Sequence, residues 1–359
     1  MFGAVVVSLG VAVPASPQQQ PGWSATLEAE SDPGLPLARV TALAVDSKGR
    51  AYVTDNALDG IAVLAPDLTL EREVGRKGEG PGEFEWPATI QILEDDSLYV
   101  WDGRRFRVTV FEPKALAVAY TVSLSLKSAR ELWRIPGQLG YVGLRSLPFY
   151  ADQREEDHGR FDVLYRLGIE GNVESDSIYA VPAAEPLVVR GDRSVMVGSH
   201  PFGAEPLLSL LGDDRIVYVN SRVPSVLLLD RSGTVQDSFD VPVTPVPVGA
   251  AELRAAIDDN RQEGYEAFAR VLEEGAPFMW PAVTGLAVDD QQRIWVGGRS
   301  ESETDEWEWI AFTREGARVG SVLLPPGFRL YAVRNGRLFG VATDELDVPR
   351  IQVYRLEEG

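Results

Sequence analysis

Short apolar runs rich in β-branched and aromatic residues alternate with polar turns along most of the chain, and the runs come in pairs. Residues 40–53, VTALAVDSKGRAYV, align without gaps on residues 283–296, VTGLAVDDQQRIWV, sharing Val, Thr, Leu, Ala, Val, Asp, Arg and Val. Each copy is an apolar strand, a short polar turn and a second strand of β-branched or aromatic residues, the pattern of a hairpin. Weaker copies stand at 90–100 (IQILEDDSLYV), 132–144 (LWRIPGQLGYVGL), 207–219 (LLSLLGDDRIVYV) and 330–341 (LYAVRNGRLFGV), which makes six. One unit recurring at long separation predicts a repeat architecture.

A third strand follows each hairpin, as in GIAVLAPD at 60–67, SVLLLDRSG at 225–233 and IQVYRLEEG at 351–359. A fourth often comes next, as in AVAYTVSL at 117–124 and RVGSVLLP at 318–325. Six units of four antiparallel strands predict an all-β, six-bladed β-propeller. The sixth unit runs out after its third strand. Residues 23–30, WSATLEAE, are therefore expected to supply the missing outer strand, hiding an edge that would otherwise pair wrongly.

Two stretches break the pattern. Residues 250–274, between the fourth and fifth units, are helical in composition, with Leu253, Ile257, Tyr265, Phe268 and Leu272 at helical spacing and Gly264 as a point of division. A Pro-rich run at 241–249 precedes them, and an inserted helix covering the rim is expected. Residues 181–203, with turn chemistry at 190–193 (RGDR) between two short strands and PFG at 201–203, read as a long connection between the third and fourth units.

Composition narrows the function classes. The formal net charge of −20 disfavours binding to nucleic acid or an anionic membrane surface. With no cysteine there is no disulfide, thiol nucleophile or zinc–thiolate site. Residues 2–15, FGAVVVSLGVAVPA, form an uncharged apolar run too short to span a bilayer, followed by polar SPQQQPG. This pattern predicts a signal peptide over 1–15, a polar linker over 16–22 and a propeller over 23–359, in a periplasmic or secreted, monomeric protein.

The segment 75–87, GRKGEGPGEFEWP, resembles the linker of NHL repeats, a Gly-rich turn followed by Phe and Pro before an inner strand. Phe278-Met279-Trp280-Pro281 repeats the FEWP of Phe84–Pro87. The chain is thus similar to NHL-repeat propellers of the TolB-like superfamily, in an exported bacterial form. The resemblance implies the fold, with Gly78, Gly80 and Gly82 at positive φ and Phe84 and Trp86 wedged between sheets. It implies little about activity, because propellers host many functions.

In such a ring the loops after the second strands gather on one upper face. Asp55, Asp102 and Asn220 occupy equivalent positions there, so they either form a ring of oxygen ligands suited to Ca²⁺ or close their own turns. Asn56 adjoins the first. Arg104 and Arg105 beside Asp102 suit a carboxylate or phosphate partner, or an ion pair with acidic neighbours. His158 lies in the charged run REEDH, and His200, before Pro201-Phe202-Gly203, is a candidate base near the channel. Residues 301–309, ESETDEWEW, combine carboxylates and aromatics that suit a sugar or a cation. No G-x-S-x-G elbow is present, and a phosphate loop at 75–82 lacks its Lys and its helix. The expected function is a non-catalytic binding or scaffold propeller, without a required cofactor, that recognises a protein or small molecule on its upper face. The alternative is a metal-dependent hydrolase or lyase similar to gluconolactonases.

Overall fold

The computed structural model describes residues 22–127, 129–136, 140–146, 161–174, 177–191, 194–300, 306–344 and 347–359. The expected signal peptide, His158 and residues 301–305 lie outside the described residues.

Strands follow the alternation. After β1 (Gly22–Glu30), an antiparallel sheet is built from β2 (Val40–Val45), β3 (Ala51–Asp55), β4 (Ile61–Leu64) and β5 (Leu70–Val74) in chain order. A short parallel pair, β6 (Arg76–Lys77) and β7 (Glu83–Phe84), leads to the next sheet, β8 (Pro87–Ile92), β9 (Leu98–Asp102), β10 (Arg107–Phe111) and β11 (Val118–Ser123). The third comprises β12 (Ala129–Arg134), β13 (Tyr141–Ser146), β14 (Phe161–Leu167) and β15 (Tyr179–Pro182). The two short strands of the connecting segment pair as a separate hairpin, β16 (Pro186–Arg190) and β17 (Val195–Ser199). The fourth sheet is β18 (Pro206–Leu211), β19 (Arg215–Asn220), β20 (Ser225–Asp230) and β21 (Val235–Asp240). Two helices follow, α1 (Ala250–Gln262) and α2 (Glu266–Gly275), divided at Gly264.

The remaining strands are β22 (Val283–Val288), β23 (Ile294–Gly298), β24 (Trp307–Phe312), β25 (Arg318–Leu324), β26 (Arg329–Arg334), β27 (Arg337–Thr343) and β28 (Pro349–Glu357). They join β1 in one eight-stranded sheet, ordered β22-β23-β24-β25-β1-β28-β27-β26. β1 lies antiparallel to β28 over most of its length and touches β25 in parallel only at Gly22 and Trp23. The N-terminal strand is therefore hydrogen-bonded to the C-terminal one.

The arrangement is propeller-like, and the reason lies in the second strand of each hairpin. β3, β9 and β23 are buried at every position. Their alternate residues enter different cores. Tyr52 packs with the second sheet, whereas Val53 packs with β27 and β28. Val100 packs with the first sheet and Trp101 with the third. Val217 and Val219 meet β23 and β24, and Ile216 and Tyr218 meet the third sheet. Trp295 meets the β26–β28 strands. Among the described residues six such clusters join strands of neighbouring sheets or of the two halves of the eight-stranded sheet. A cavity of about 300 Å³ runs where the first strands meet, lined by Leu43, Gln91, Trp133, Leu210, Val288 and Arg334, one from each. The outer strands β5, β11 and β21 are mostly exposed; β5 and β21 are largely polar, whereas β11 turns Val118 and Tyr120 to water.

The repeated Asp and Arg of the two best hairpins share one role. Asp289 Oδ1 accepts the backbone N–H groups of Gln291 and Arg293, and Oδ2 accepts Arg293 Nε at 2.6 Å and Trp295 Nε1 at 2.9 Å. Asp46 repeats this with Lys48, Arg50 and Tyr52. A buried carboxylate thus closes the turn and fixes the first large side chain of the second strand.

The Gly-rich linker also follows its expected form in part. Gly75 stands at φ 78°, and a Cβ there would sit 2.4 Å from the Phe84 ring. Gly78 and Gly82 have positive φ, but Gly80 does not. Arg107 holds the loop by donating to the carbonyls of Glu79, Gly80 and Glu83 at 2.6–2.9 Å. Phe84 is buried between the first two sheets, as expected. Trp86 is not: it is 47% exposed over Gly103, because no neighbouring element reaches across it.

Two predictions follow from these contacts. Asp289→Ala removes the acceptor of Arg293 Nε and of the Trp295 indole N–H, while Arg293 keeps its ion pair with Glu358, so it lowers unfolding free energy by about 1–3 kcal/mol in urea titration. Glu28 on β1 pairs with Arg337 and Arg355, and hydrogen bonds from both lower its pKa from 4.5 to about 2. Its folded pKa is depressed, so its stabilisation is complete above about pH 4.5 and disappears as pH falls through about 2. Since Glu28 is largely solvated, the effect is small and salt-sensitive. Glu28→Gln should therefore flatten the acid side of the stability profile below pH 4.5 at low salt, and differ little from the parent at high salt.

Candidate functional site

Asp55 and Asp102 tie linker to strand end. Asp55 Oδ1 accepts Ala38 N–H at 2.9 Å from the segment entering its own sheet, and Ala57 N–H at 2.7 Å. Asp102 accepts Glu85 N–H at 2.7 Å and the N–H groups of Trp86, Arg104 and Arg105. In the fourth sheet the same tie passes to Ser221, whose Oγ accepts Glu205 N–H at 2.8 Å. Asn220 accepts Arg222 N–H at 3.0 Å. Asn56 is exposed. Arg104 faces Glu85, and Arg105 pairs with Glu79 at 2.6 Å and Glu85 at 3.0 Å. Each of these carboxylates, and the Asn220 amide, is engaged by the backbone of its own turn. Among the described residues no three His, Cys, Asp or Glu side chains converge as a metal cluster.

His200 belongs to a different structure. The β16–β17 hairpin and both helices share a satellite core of Leu187, Phe202, Ile257, Phe268, Ala269 and Leu272. At its edge His200 stacks edge-on against Phe278 at 5.2 Å, and Phe202 meets Trp280 edge-on at 4.9 Å. His200 Nδ1 accepts Phe202 N–H at 3.0 Å, which fixes the other nitrogen as the protonated one in the neutral ring. Burial lowers its pKa, Glu185 opposes and Arg222 assists, so the ring is neutral at pH 7.

Glu252, in the first turn of α1, fastens this satellite to the ring. Its Oε2 accepts Gly249 N–H at 2.8 Å, capping the helix, and Trp280 Nε1–H at 2.9 Å. Its Oε1 pairs with Arg299 Nη2 at 2.5 Å. The Arg299 guanidinium in turn lies 3.9 Å from the Trp280 ring centre and 5.2 Å from that of Trp307.

Beneath this clasp opens a cleft of about 230 Å³. Trp280, Trp307, Pro201, Pro281 and Val283 supply apolar walls. Ser221, Thr284, Glu205 and Arg299 supply polar groups. The buried Thr284 Oγ1 has no hydrogen-bond partner. The Glu205 carboxylate, at the mouth, is exposed and has neither ion pair nor hydrogen bond among the described residues.

Two more carboxylates lie behind Glu205. The Arg130 guanidinium reaches Glu131 Oε1 at 3.1 Å and Asp162 Oδ2 at 3.3 Å. Asp162 is completely buried, yet neither of its oxygens receives a hydrogen bond. Burial raises the Glu131 pKa, Arg130 opposes, and the charges of Glu205 and Asp162 raise it further.

Sequence reasoning had reached Trp280 through its linker motif and Trp307 through the aromatic–acidic loop. It had missed Glu252, Glu205, Glu131 and Asp162. Only the helix-capping position of Glu252 left a local signal.

With the geometry in view, comparison defines the class. No protein-family model matches the sequence, and no curated protein matches it. Solved structures do. A member of the DUF4221 family from Bacteroides vulgatus superposes with TM-score 0.54 at 9% identity, covering 95% of this chain and all of that one. A Bacteroides fragilis protein designated as exported gives TM-score 0.51 at 11% identity, covering 96% and 98%. The structure of U3-55K gives 0.50 at 11% identity, covering 88% and 95%. These neighbours are propeller-type proteins, and at such identities the likeness is one of fold. No helix among the described residues is long and apolar enough to cross a membrane.

If Glu252 is the clasp, Glu252→Ala should loosen α1 and leave the sheets intact. Amide hydrogen exchange should rise at least about ten-fold over residues 250–275, with core strands such as β3 and β9 unchanged.

Proposed function

We propose that this chain is an exported, non-catalytic binding propeller of six blades, similar to the NHL and TolB-like types, that engages its partner through the cleft beside Trp280 and Trp307. The six-blade count rests on reading the eight-stranded sheet as two four-strand units joined at Gly22 and Trp23. Six inter-sheet cores and six first strands around one cavity support it. Export rests on the apolar run at 2–15 and the polar segment after it.

The observation that carries the binding reading is the cleft. It is an aromatic-walled recess with an unsatisfied hydroxyl and an unengaged carboxylate, held open by the Glu252–Arg299 clasp. By contrast, Asp102, Arg104 and Arg105 are engaged inside the protein, as structural ties are, and Asp55 is held through Oδ1, its Oδ2 buried without a partner among the described residues. His200 accepts a backbone N–H within an aromatic stack.

The test is affinity capture from the native extracellular or periplasmic fraction with the parent protein, a cleft variant (Trp307→Ala) and a rim control (Glu71→Gln on β5). A partner retained by the parent and the control, and reduced at least about ten-fold by the cleft variant, is the expected outcome. Equal retention by all three sinks the assignment of this face.

A further inference from the structure

Building on that reading, we infer that the cleft receives a basic side chain, lysine or arginine, presented by a protein partner. The cleft, at about 230 Å³, is below the roughly 300–1,000 Å³ typical of drug-sized ligand sites. It suits one anchoring side chain, the kind of insertion that dominates protein–protein interfaces.

Charge decides which side chain. Of the two charged groups in the wall, Arg299 is offset by Glu252, whereas Glu205 has no counter-ion among the described residues. Behind it, Glu131 and Asp162 share a single guanidinium, that of Arg130. Three carboxylates against one arginine leave this corner negative. Asp162 is fully buried, and among the described residues its one counter-ion is that same Arg130, 3.3 Å from Oδ2. A cation in the cleft would supply the missing positive charge. The Trp307 ring already faces the Arg299 guanidinium at 5.2 Å, so it offers an apolar wall to the stem of the incoming side chain, and the oxygens of Thr284 and Ser221 can accept from its ammonium or guanidinium group. An anionic ligand would meet Glu205 first. The net charge of −20 steers a basic partner toward the molecule as a whole.

The test uses N-acetyl-arginine amide, N-acetyl-lysine amide and N-acetyl-citrulline amide as probes of the full-length protein, followed by saturation-transfer NMR at low salt. The two cationic probes should bind in the millimolar range, and citrulline, matched to arginine in shape but neutral, should bind about ten-fold more weakly. Glu205→Gln should weaken the arginine probe about five-fold or more and leave citrulline unchanged. Because Glu205 is exposed, its thermal midpoint should match the parent, which separates lost recognition from lost folding. Citrulline binding as tightly as arginine, an unaffected Glu205→Gln variant, or no saturation transfer at about 50 mM probe would each overturn the inference. Should the partner from affinity capture depend on Trp307 while cation preference is absent, the cleft stands as a binding site and only its chemistry is wrong. Loss of both removes the site as well.

Discussion

The structure depends on strands that are apolar on both faces. A strand such as β9 presents Leu98 and Val100 to one side and Tyr99 and Trp101 to the other, so its sheet cannot be satisfied by a single partner. Each unit needs a neighbour on either flank, and a row of such units is stable only if its ends meet. Burial of roughly 25 cal/mol per Å² of apolar surface at every junction favours closure over any open arrangement. The largely polar outer strands β5 and β21 keep further units from adding on at the rim.

The same constraint explains what could be read from the residues. Hairpins were legible because a strand buried on both faces reads as a short apolar run bounded by polar turns, and the Asp–Arg repeat marked the two best. The joining of Trp23–Glu30 to the last strand was legible from a missing partner, a matter of arithmetic rather than pattern. What the β16–β17 hairpin packs against was not. Its strands PLVVR and VMVGS are half-exposed, and the side chain that covers Gly198 is Phe268, seventy residues later. Likewise Trp86 and Trp280 share a motif but not an environment. Only the second has helices above it, and nothing in the motif announces them.

The candidate site was harder still. The bonds of Glu252 to Trp280 and Arg299 span 28 and 47 positions, and those of Arg130 to Asp162 cross from β12 to β14. Acidic side chains with local turn positions, Asp55 and Asp102, looked like ligands from spacing alone. In the fold they hold linkers in place. Glu205 and Thr284, whose side chains lack a partner among the described residues, carry no motif, because what marks them is the absence of a bond that only three dimensions can reveal.

The strand borrowed from the N-terminus has a consequence for how the molecule is made. Glu28 finds Arg337 across 309 positions, so the portion synthesised earliest must wait for the portion synthesised last. Until the C-terminus has emerged, the ring is an open arc with one unsatisfied flank at each end. Such a chain is slow to complete its native contacts, because the closing pair spans 309 positions. Loss of either β1 or β28 opens the same seam.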